Sequence, residues 1–566
     1  NCARSSTPSM PRVRATAPRG LIPALAATAL AVAALLCAST WGGAFLSDDW
    51  ALVLRANQLL EQGQALPSLA RAYSEAEGLQ TGFYRPTGLV SWVVSALHAG
   101  YEPAGWQIGN FLLHVLCGWL LLRLVRRIAD GPSGAAAAWL AAALFWLWPL
   151  APEASVWPAA RFDQLALAGV LVACERHLAA RRWLDGARLA SLLALAFALS
   201  SKEAAMLAPP LMVLVALMVA PPAAEGESRL RACARAVLVA VRDALPAFAV
   251  LAAVLLLRRH LFGQAMRVYE AHASTFSFDV FALPRRVAGM APVLEGPFAA
   301  GAVWLVAAVL AVLAGGAWLA MRERRWLGSW LLPAAATGLT VVALAVHFDG
   351  SEPGGFGARM FYATGAWLAL WMVLPFARRE QAAAIVAVFI LPVFAAALAV
   401  STAPWREAGL AMRALLPKVV EVAATAHARG EHAVVLVPDL WQTTAFARNA
   451  QGGIMAGGIV PVNPHAGNVL AMLPPTAEVF AHVREHALVI GEGRPLRLYC
   501  FDALPWSGDV RLVEHGLARE PHDFEAWWAA WSREILASDC ADDFPQLRAH
   551  PLPAAAAAGS PQPKNQ

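Results

Sequence analysis

The sequence predicts an all-α polytopic membrane protein with about eleven transmembrane helices and a small C-terminal α/β extracytoplasmic domain. Of the 566 residues, 58% are hydrophobic and only 15% are charged, and the mean hydropathy is +0.52. A soluble domain is about half apolar and about a quarter charged, so these values exclude an ordinary soluble protein. Most apolar residues fall into segments long enough to cross a bilayer, and this pattern ends near residue 400.

The predicted spans are separated by polar loops. Nine segments have close to the length of one crossing: 21–40, 106–122, 135–150, 164–180, 236–257, 299–320, 327–346, 360–376 and 382–400. The stretch 187–219 is too long for one crossing and is interrupted by Lys202 and Glu203, so it predicts two short spans. The apolar part of 85–100 is only about 13 residues long, which favours an interfacial or re-entrant helix.

The distribution of arginine predicts the orientation of these spans. If 85–100 does not cross, most arginine clusters lie on the same side as the N-terminus, which the positive-inside rule places in the cytoplasm. The exceptions are Arg258, Arg259, Arg285 and Arg286, in or beside a long outer loop. The net charge of +5 comes mostly from arginine clusters between apolar segments, which indicates membrane orientation, and nucleic acid is not a predicted partner.

The predicted organisation has four parts. Residues 1–20 form a cytoplasmic tail, 21–400 the transmembrane domain, 401–550 the extracytoplasmic α/β domain, and 551–566 a Pro- and Ala-rich disordered tail. Segment 21–40 is interpreted as an uncleaved first span, with a cleaved signal peptide as the alternative. In the C-terminal domain, "HAVVLVPDL" (432–440) and "LRLYCFDAL" (496–504) predict strands, and 478–493 predicts a helix and a turn.

The cysteine pattern indicates no metal site, because the seven cysteines have no zinc-type spacing. Cys500 and Cys540 are the only cysteines beyond residue 400, in a domain predicted to lie in an oxidising compartment. They predict a disulfide, with two buried free thiols as the alternative. No cofactor is predicted, and a divalent metal is not indicated.

An acidic pair, Asp48 and Asp49, follows the first span directly. Its ordinary explanation is a helix cap, because residues 50–62 predict an amphipathic helix lying on the membrane surface. The functional interpretation is that one carboxylate acts as a general base and the other orients it or the acceptor. A residue can perform both roles.

Further polar residues lie at predicted outer span ends or inside one span. These candidates are Tyr84, Arg85, His114, Glu153, Trp157, Arg161, Asp163, Lys202, Glu203, Arg359 and Tyr362. Headgroup anchoring explains Arg85 and Arg359 equally well, a surface ion pair explains 161–163, and a mutually neutralised pair explains 202–203. An interhelical hydrogen bond explains His114.

Taken in order, these motifs resemble those of the GT-C glycosyltransferases. They are the acidic pair 48–49, "FYRP" (83–86), Asn110 with His114, "PLAPEASVWPAARFD" (149–163), "SSKE" (200–203) and "RMFY" (359–362). The likeness is greatest to the branch of protein O-mannosyltransferases and transmembrane and tetratricopeptide-repeat O-mannosyltransferases, here without the repeats.

The resemblance implies transfer of a sugar, mannose in that branch, from a polyprenyl-phosphate donor in the bilayer. It implies Asp48 as the base with Asp49 as its helper. The donor phosphate would contact Arg85, Arg161, Lys202 and Arg359, and the other candidates would support the site. The acceptor would be a protein, a glycolipid or a cell-wall or O-antigen glycan on the periplasmic side of a bacterial inner membrane.

Two other functions compete with this one. A lipid or small-molecule transporter would place charges throughout the span interiors and show pseudo-repeats, whereas here the candidates cluster at one face. A catalytically inactive relative acting as a scaffold would not need both aspartates.

Overall fold

The described structure is a helical bundle followed by a β-sheet. The computed structural model describes residues 20–45, 49–74, 84–129, 131–183, 185–221, 227–263, 279, 281–291, 301–325, 327–347, 358–429, 432–436, 458–463, 468–473, 496–501 and 512–518. The helices are α1 (Leu21–Ala38), α2 (Asp49–Glu61), α3 (Ala65–Ser74), α4 (Pro86–Ala99), α5 (Pro103–Ile128), α6 (Pro132–Trp146), α7 (Pro152–Val156), α8 (Arg161–Ala179), α9 (Gly186–Leu199), α10 (Ala208–Met218), α11 (Arg229–Phe262), α12 (Leu283–Ala288), α13 (Ala302–Arg322), α14 (Leu332–His347), α15 (Tyr362–Val373) and α16 (Glu380–Ala428).

Six helical segments in the described residues are long and apolar enough to cross a membrane. They are Leu21–Ala38, Pro103–Ile128, Arg229–Phe262, Ala302–Arg322, Leu327–Val346 and Glu380–Leu410. Each of the other predicted spans also contains a helix, but these helices are shorter or less apolar. The count of eleven spans therefore stays a prediction. The segment 85–100 forms a helix of only 14 residues, α4.

The centre of the bundle is the alanine-rich helix α6, which packs against α1, α5, α15 and α16. Ala137, Ala141 and Leu144 of α6 have no exposed surface. Small side chains let the neighbouring helices approach closely, and close approach supplies the dispersion contacts that hold helices together inside a membrane.

The predicted membrane-surface helix is α2, but its apolar stripe does not face lipid. Val53, Ala56 and Leu59 are buried in one cluster with Leu89 and Trp92 of α4. The location of this helix on the membrane surface stays a prediction. Amphipathic periodicity says that one face is buried but does not identify what covers it, and here the cover is α4.

The chain beyond α16 contributes a five-stranded sheet among the described residues. Its strands are β1 (His432–Leu436), β2 (Gly458–Asn463), β3 (Asn468–Leu473), β4 (Leu496–Phe501) and β5 (Leu512–Ala518), in the order β2-β3-β1-β4-β5. β1 is parallel to β3 and β4, and the two edge strands are antiparallel to their neighbours. The two predicted strands are β1 and β4.

The remaining C-terminal predictions fall outside the described residues. These are the helix predicted over 478–493, Cys540 and the tail 551–566, and the side chain of Cys500 is likewise not described. The disulfide and the domain boundaries stay predictions.

Candidate outer-face site

The site is organised by a short segment between α6 and α8. Pro152 begins the one-turn helix α7, and Pro158 ends it, because the residue before a proline is driven out of the helical conformation. Trp157 accordingly has an extended backbone, with φ −88° and ψ 110°. A 3-10 turn (Pro158–Ala160) then leads directly into α8. The segment presents backbone groups and side chains to several helices at once.

Asp49 is the first residue of α2 and is buried, with 1% of its surface exposed. Its Oδ1 accepts a hydrogen bond of 2.8 Å from the backbone N–H of Ala159. Its charge also lies in the first turn of α2, where the helix dipole favours an anion. Asp48 and Ser47 lie outside the described residues, so the division of roles within the acidic pair stays a prediction.

Arg161 is enclosed by protein groups. Its Nε donates to Asn110 Oδ1 (2.6 Å), its Nη1 to Ser91 O (3.0 Å), and its Nη2 to Trp106 O (3.1 Å). The side chain is buried and also donates to Ser95 Oγ at 2.5 Å. This geometry does not fit the predicted phosphate contact, because the guanidinium is already directed at these groups. Arg161 instead ties α8 to α4 and α5.

Two candidates inside the bundle contact each other directly. His114 Nδ1 lies 2.8 Å from the hydroxyl of Tyr362, and His114 Nε2 lies 3.2 Å from Trp146 O. One turn earlier, the side chain of Asn110 donates to Trp157 O at 2.8 Å. These bonds join α5 to α15 and to the α7 segment. These buried bonds hold together the helices that carry the residues of the predicted outer face.

Glu153 and Arg359 form the first ion pair at the predicted outer face. Glu153 is fully buried, and its Oε1 accepts from Arg359 Nη1 at 2.9 Å. Its Oε2 accepts from the backbone N–H of Arg359 at 2.8 Å. The guanidinium carbon lies 4.6 Å from the ring centroid of Trp157. Arg359 is therefore held by charge, backbone and an aromatic face rather than only extended toward headgroups.

Lys202 and Asp163 form the second ion pair. Lys202 Nζ donates to both carboxylate oxygens of Asp163, at 2.5 and 2.6 Å. The alternative explanations for these residues were wrong. Lys202 is not neutralised by its neighbour Glu203, and Asp163 does not pair with Arg161.

The third cluster places two arginines on one carboxylate, and we call Arg85, Glu203 and Arg258 the arginine–glutamate triad. Arg85 donates to Glu203 Oε2 from Nε (3.0 Å) and from Nη2 (2.5 Å). Arg258, near the end of α11, donates to Glu203 Oε1 at 3.1 Å. The Arg258 side chain is 2% exposed, and its Nε has no hydrogen-bond partner among the described residues.

Burial of Glu203 by itself would raise the pKa of its carboxyl. The facing guanidinium groups of Arg85 and Arg258 outweigh burial, and the pKa falls to about 2. Glu203 lies in the turn between α9 and α10. It is therefore ionised throughout the physiological range.

Aromatic packing against Phe162 holds Arg85, one of the two arginines of the triad. The guanidinium carbon of Arg85 lies 5.2 Å from the ring centroid of Phe162. Gly88 allows this arrangement, because a Cβ there would lie 1.7 Å from an atom of that ring. Tyr84 is buried and donates from its hydroxyl to Tyr73 O at 3.0 Å.

Sequence reasoning missed Arg258 as a candidate, although a signal was present. Arg258 was one of the exceptions to the positive-inside pattern, and its neighbours in that group include Arg286. Both are buried, and Arg286 donates to Ala345 O at 3.2 Å. An arginine on the wrong side of the membrane is expected to have a specific partner.

Within the described residues, no group of three or more His, Cys, Asp or Glu side chains could hold a metal ion.

Comparison with known proteins does not identify a family for this chain. No protein-family model matches the chain, and no curated protein matches it. Among solved structures, the chain is similar to the crystal structure of ArnT from Cupriavidus metallidurans in the apo state, with 15% sequence identity and a TM-score of 0.44. The alignment covers 86% of this chain and 94% of that one. A likeness at this level identifies neither a family nor an activity.

Proposed function

We propose that this protein is an integral membrane glycosyltransferase that moves a sugar from a polyprenyl-phosphate donor to an acceptor outside the cytoplasm. The observation that carries the proposal is the arginine–glutamate triad. Two buried or half-buried arginines share one carboxylate at the end of helices that are apolar enough to lie in lipid. A lipid phosphate is an anion that lies at the level in the membrane where such helices end.

The charges of the three clusters support one location for that phosphate. The pairs Glu153–Arg359 and Asp163–Lys202 each combine one cation with one carboxylate. The triad combines two cations with one carboxylate. Guanidinium groups gathered around one carboxylate at a membrane face favour the binding of a further anion beside them.

The chemistry of the transfer fits this arrangement. The acceptor hydroxyl attacks the anomeric carbon of the sugar, and the bond from that carbon to the phosphate oxygen breaks. The phosphate leaves with the electron pair and gains one negative charge, which fixed cations stabilise more in the transition state than in the bound donor. Asp48 takes the proton of the attacking hydroxyl, and Asp49, fixed by Ala159, holds the acidic pair in place.

The proposal places the triad and the C-terminal sheet outside the cytoplasm. An alkaline phosphatase fusion after residue 429, at the end of α16, should be active, because that enzyme requires an oxidising compartment. Activity of a cytoplasmic reporter at the same position would contradict the orientation of the whole site.

The function is tested by mass spectrometry of glycans and glycolipids from a deletion strain. Loss of one sugar modification is expected, restored by the wild-type gene but not by Asp48→Asn. Asp243→Asn, at the opposite end of the bundle, is the matched control and should restore the modification. A deletion strain with unchanged glycans and glycolipids would contradict the proposal.

A further inference from the structure

The outer half of α16 contacts the segment that leads into the acidic pair. The backbone N–H of Ala44 donates to the carbonyl of Gly409 at 2.9 Å. One turn further along α16, Arg413 Nη1 donates to Gly42 O at 2.7 Å. The segment 39–45 is thus bonded to a helix that lies more than 360 residues away in the sequence.

A pair of glycines makes this contact possible. A Cβ at Gly43 would lie 2.7 Å from the Cα of Gly409, and a Cβ at Gly409 would lie 3.1 Å from the Cα of Gly43. Both neighbours are backbone atoms, so no flexible side chain can move aside. Glycine is a poor helix former, and Gly409 lies inside α16. Close backbone approach is the physical reason for glycine at this position.

The same part of α16 also contacts the other side of the site. Trp405 is buried, and its ring lies 6.1 Å from that of Trp157, with 32° between the ring planes. Trp157 in turn lies beneath the guanidinium of Arg359. Two residues after Trp157, Ala159 donates to Asp49. α16 is therefore connected by contacts to the segment 39–45 and also, through Trp157 and Ala159, to Asp49.

We propose that the Gly43–Gly409 contact, together with Trp405, is a positioning device that fixes Asp49 relative to Arg359. Neither glycine nor Trp405 touches a substrate in this proposal. They act through the segment 39–45, which precedes the acidic pair in the sequence, and through Trp157. The catalytic consequence rests on the proposed function, whereas the positional claim concerns the protein alone.

The positional claim is tested by hydrogen–deuterium exchange on the full-length protein in detergent. The Cβ of Gly409→Ala would lie 3.1 Å from the Cα of Gly43, so the two backbones must separate by a few tenths of an ångström, which weakens the bond from Ala44 to the Gly409 carbonyl. Exchange in the peptide 40–49 should become about tenfold faster, with the other peptides unchanged. The matched control is Gly315→Ala in α13, where an added Cβ meets nothing within 4 Å, and its exchange should equal that of the wild type.

The catalytic claim is tested with the same variants. Gly409→Ala should lower kcat for sugar transfer by about tenfold or more, because small misplacements of reacting groups cost rate steeply. The donor KM and the binding of C55 polyprenyl phosphate in phosphatidylcholine vesicles should not change, which a general loss of folding would not produce. If Gly409→Ala does not fold, Trp405→Leu takes its place.

Unchanged exchange in 40–49, or an unchanged kcat despite faster exchange, would overturn the inference. A parallel loss of donor binding and kcat would also overturn it. If the wild-type protein binds no polyprenyl phosphate, the proposed function fails, and the exchange result alone decides the positional claim.

Discussion

The ion pairs of the candidate site and the exposed pair Arg242–Asp243 use the same charged residue types differently. At the outer face, Arg85 and Glu203 are 118 residues apart, and Arg359 and Glu153 are 206 residues apart. At the opposite end, predicted to be cytoplasmic, Arg242 pairs with the adjacent Asp243. The Arg242 side chain is 60% exposed, whereas that of Arg359 is 22% exposed and that of Glu153 is fully buried.

The difference distinguishes charges that only orient the helices in the membrane from charges that form a site. Exposed neighbouring pairs need little tertiary structure and contribute little stability, so they are consistent with the positive-inside role alone. Buried pairs from distant segments carry a desolvation cost that their mutual attraction only partly offsets. Buried pairs from distant segments at one end of the bundle therefore indicate a preorganised site.

The largest expected effect is on the rate of transfer. Asp48→Asn keeps the shape of the side chain but removes the proton acceptor, so the rate should fall about 10²–10⁴-fold. Asp49→Asn should have a smaller effect, because an amide oxygen can still accept from Ala159. Transfer assays with the purified variants measure both, and near-wild-type transfer by Asp48→Asn would leave the acidic pair only a capping role.

The next effect is on stability. Glu153→Gln removes the charge that faces Arg359 and should cost about 3 kcal/mol, the lower end for broken buried pairs, because Arg359 keeps some exposure. Asp243→Asn removes the partner of the exposed Arg242 and should cost about 0–1 kcal/mol. Denaturant unfolding in detergent compares the two. Equal losses would remove the distinction between the two faces.

A smaller effect depends on pH. The pKa of Glu203 is about 2 in the folded protein and about 4.5 as its ordinary value, so its ionised form stabilises the fold. This contribution is complete above the ordinary pKa and is lost as pH falls from there toward the folded pKa. The difference in thermal stability between the wild type and Glu203→Gln should therefore shrink as pH falls below about 4.5 and vanish near pH 2. A difference that stays constant from pH 7 to pH 3 would contradict this assignment.

The smallest effect is expected for the exposed arginines. Arg242→Gln should change stability by no more than about 0.5 kcal/mol and should leave donor binding unchanged. Unfolding and lipid-binding measurements on the same preparation check both values. A marked loss of binding would assign a lipid-phosphate role to the opposite face.

Hydropathy predicted the helices well because apolar length is a local property of the sequence. Helices occupy all the predicted span segments, and α4 has the predicted short length. The direction faced by a helix was less predictable. The predicted amphipathic helix 50–62 buries Val53 and Leu59 against α4, and periodicity alone does not identify this neighbour.

Ion-pair partners were the least predictable feature. Lys202 has an extended backbone, with φ −158° and ψ 150°, and consecutive side chains on an extended backbone point to opposite sides. Lys202 and Glu203 therefore separate toward Asp163 and Arg85 despite their adjacency. Residue type likewise could not distinguish Arg161, enclosed by amide and carbonyl groups, from Arg85 in the triad.

The central claim is that the triad binds a lipid phosphate, and photo-crosslinking tests it most directly. A polyprenyl phosphate with a photoreactive group next to the phosphate would be bound to the full-length protein in vesicles, and the labelled peptides identified by mass spectrometry. We expect label in the peptides that contain Arg85, Lys202 and Arg258, lost in Arg258→Gln and kept in Arg242→Gln. Label confined to the peptide around Arg242, or equal labelling of both variants, would contradict the account.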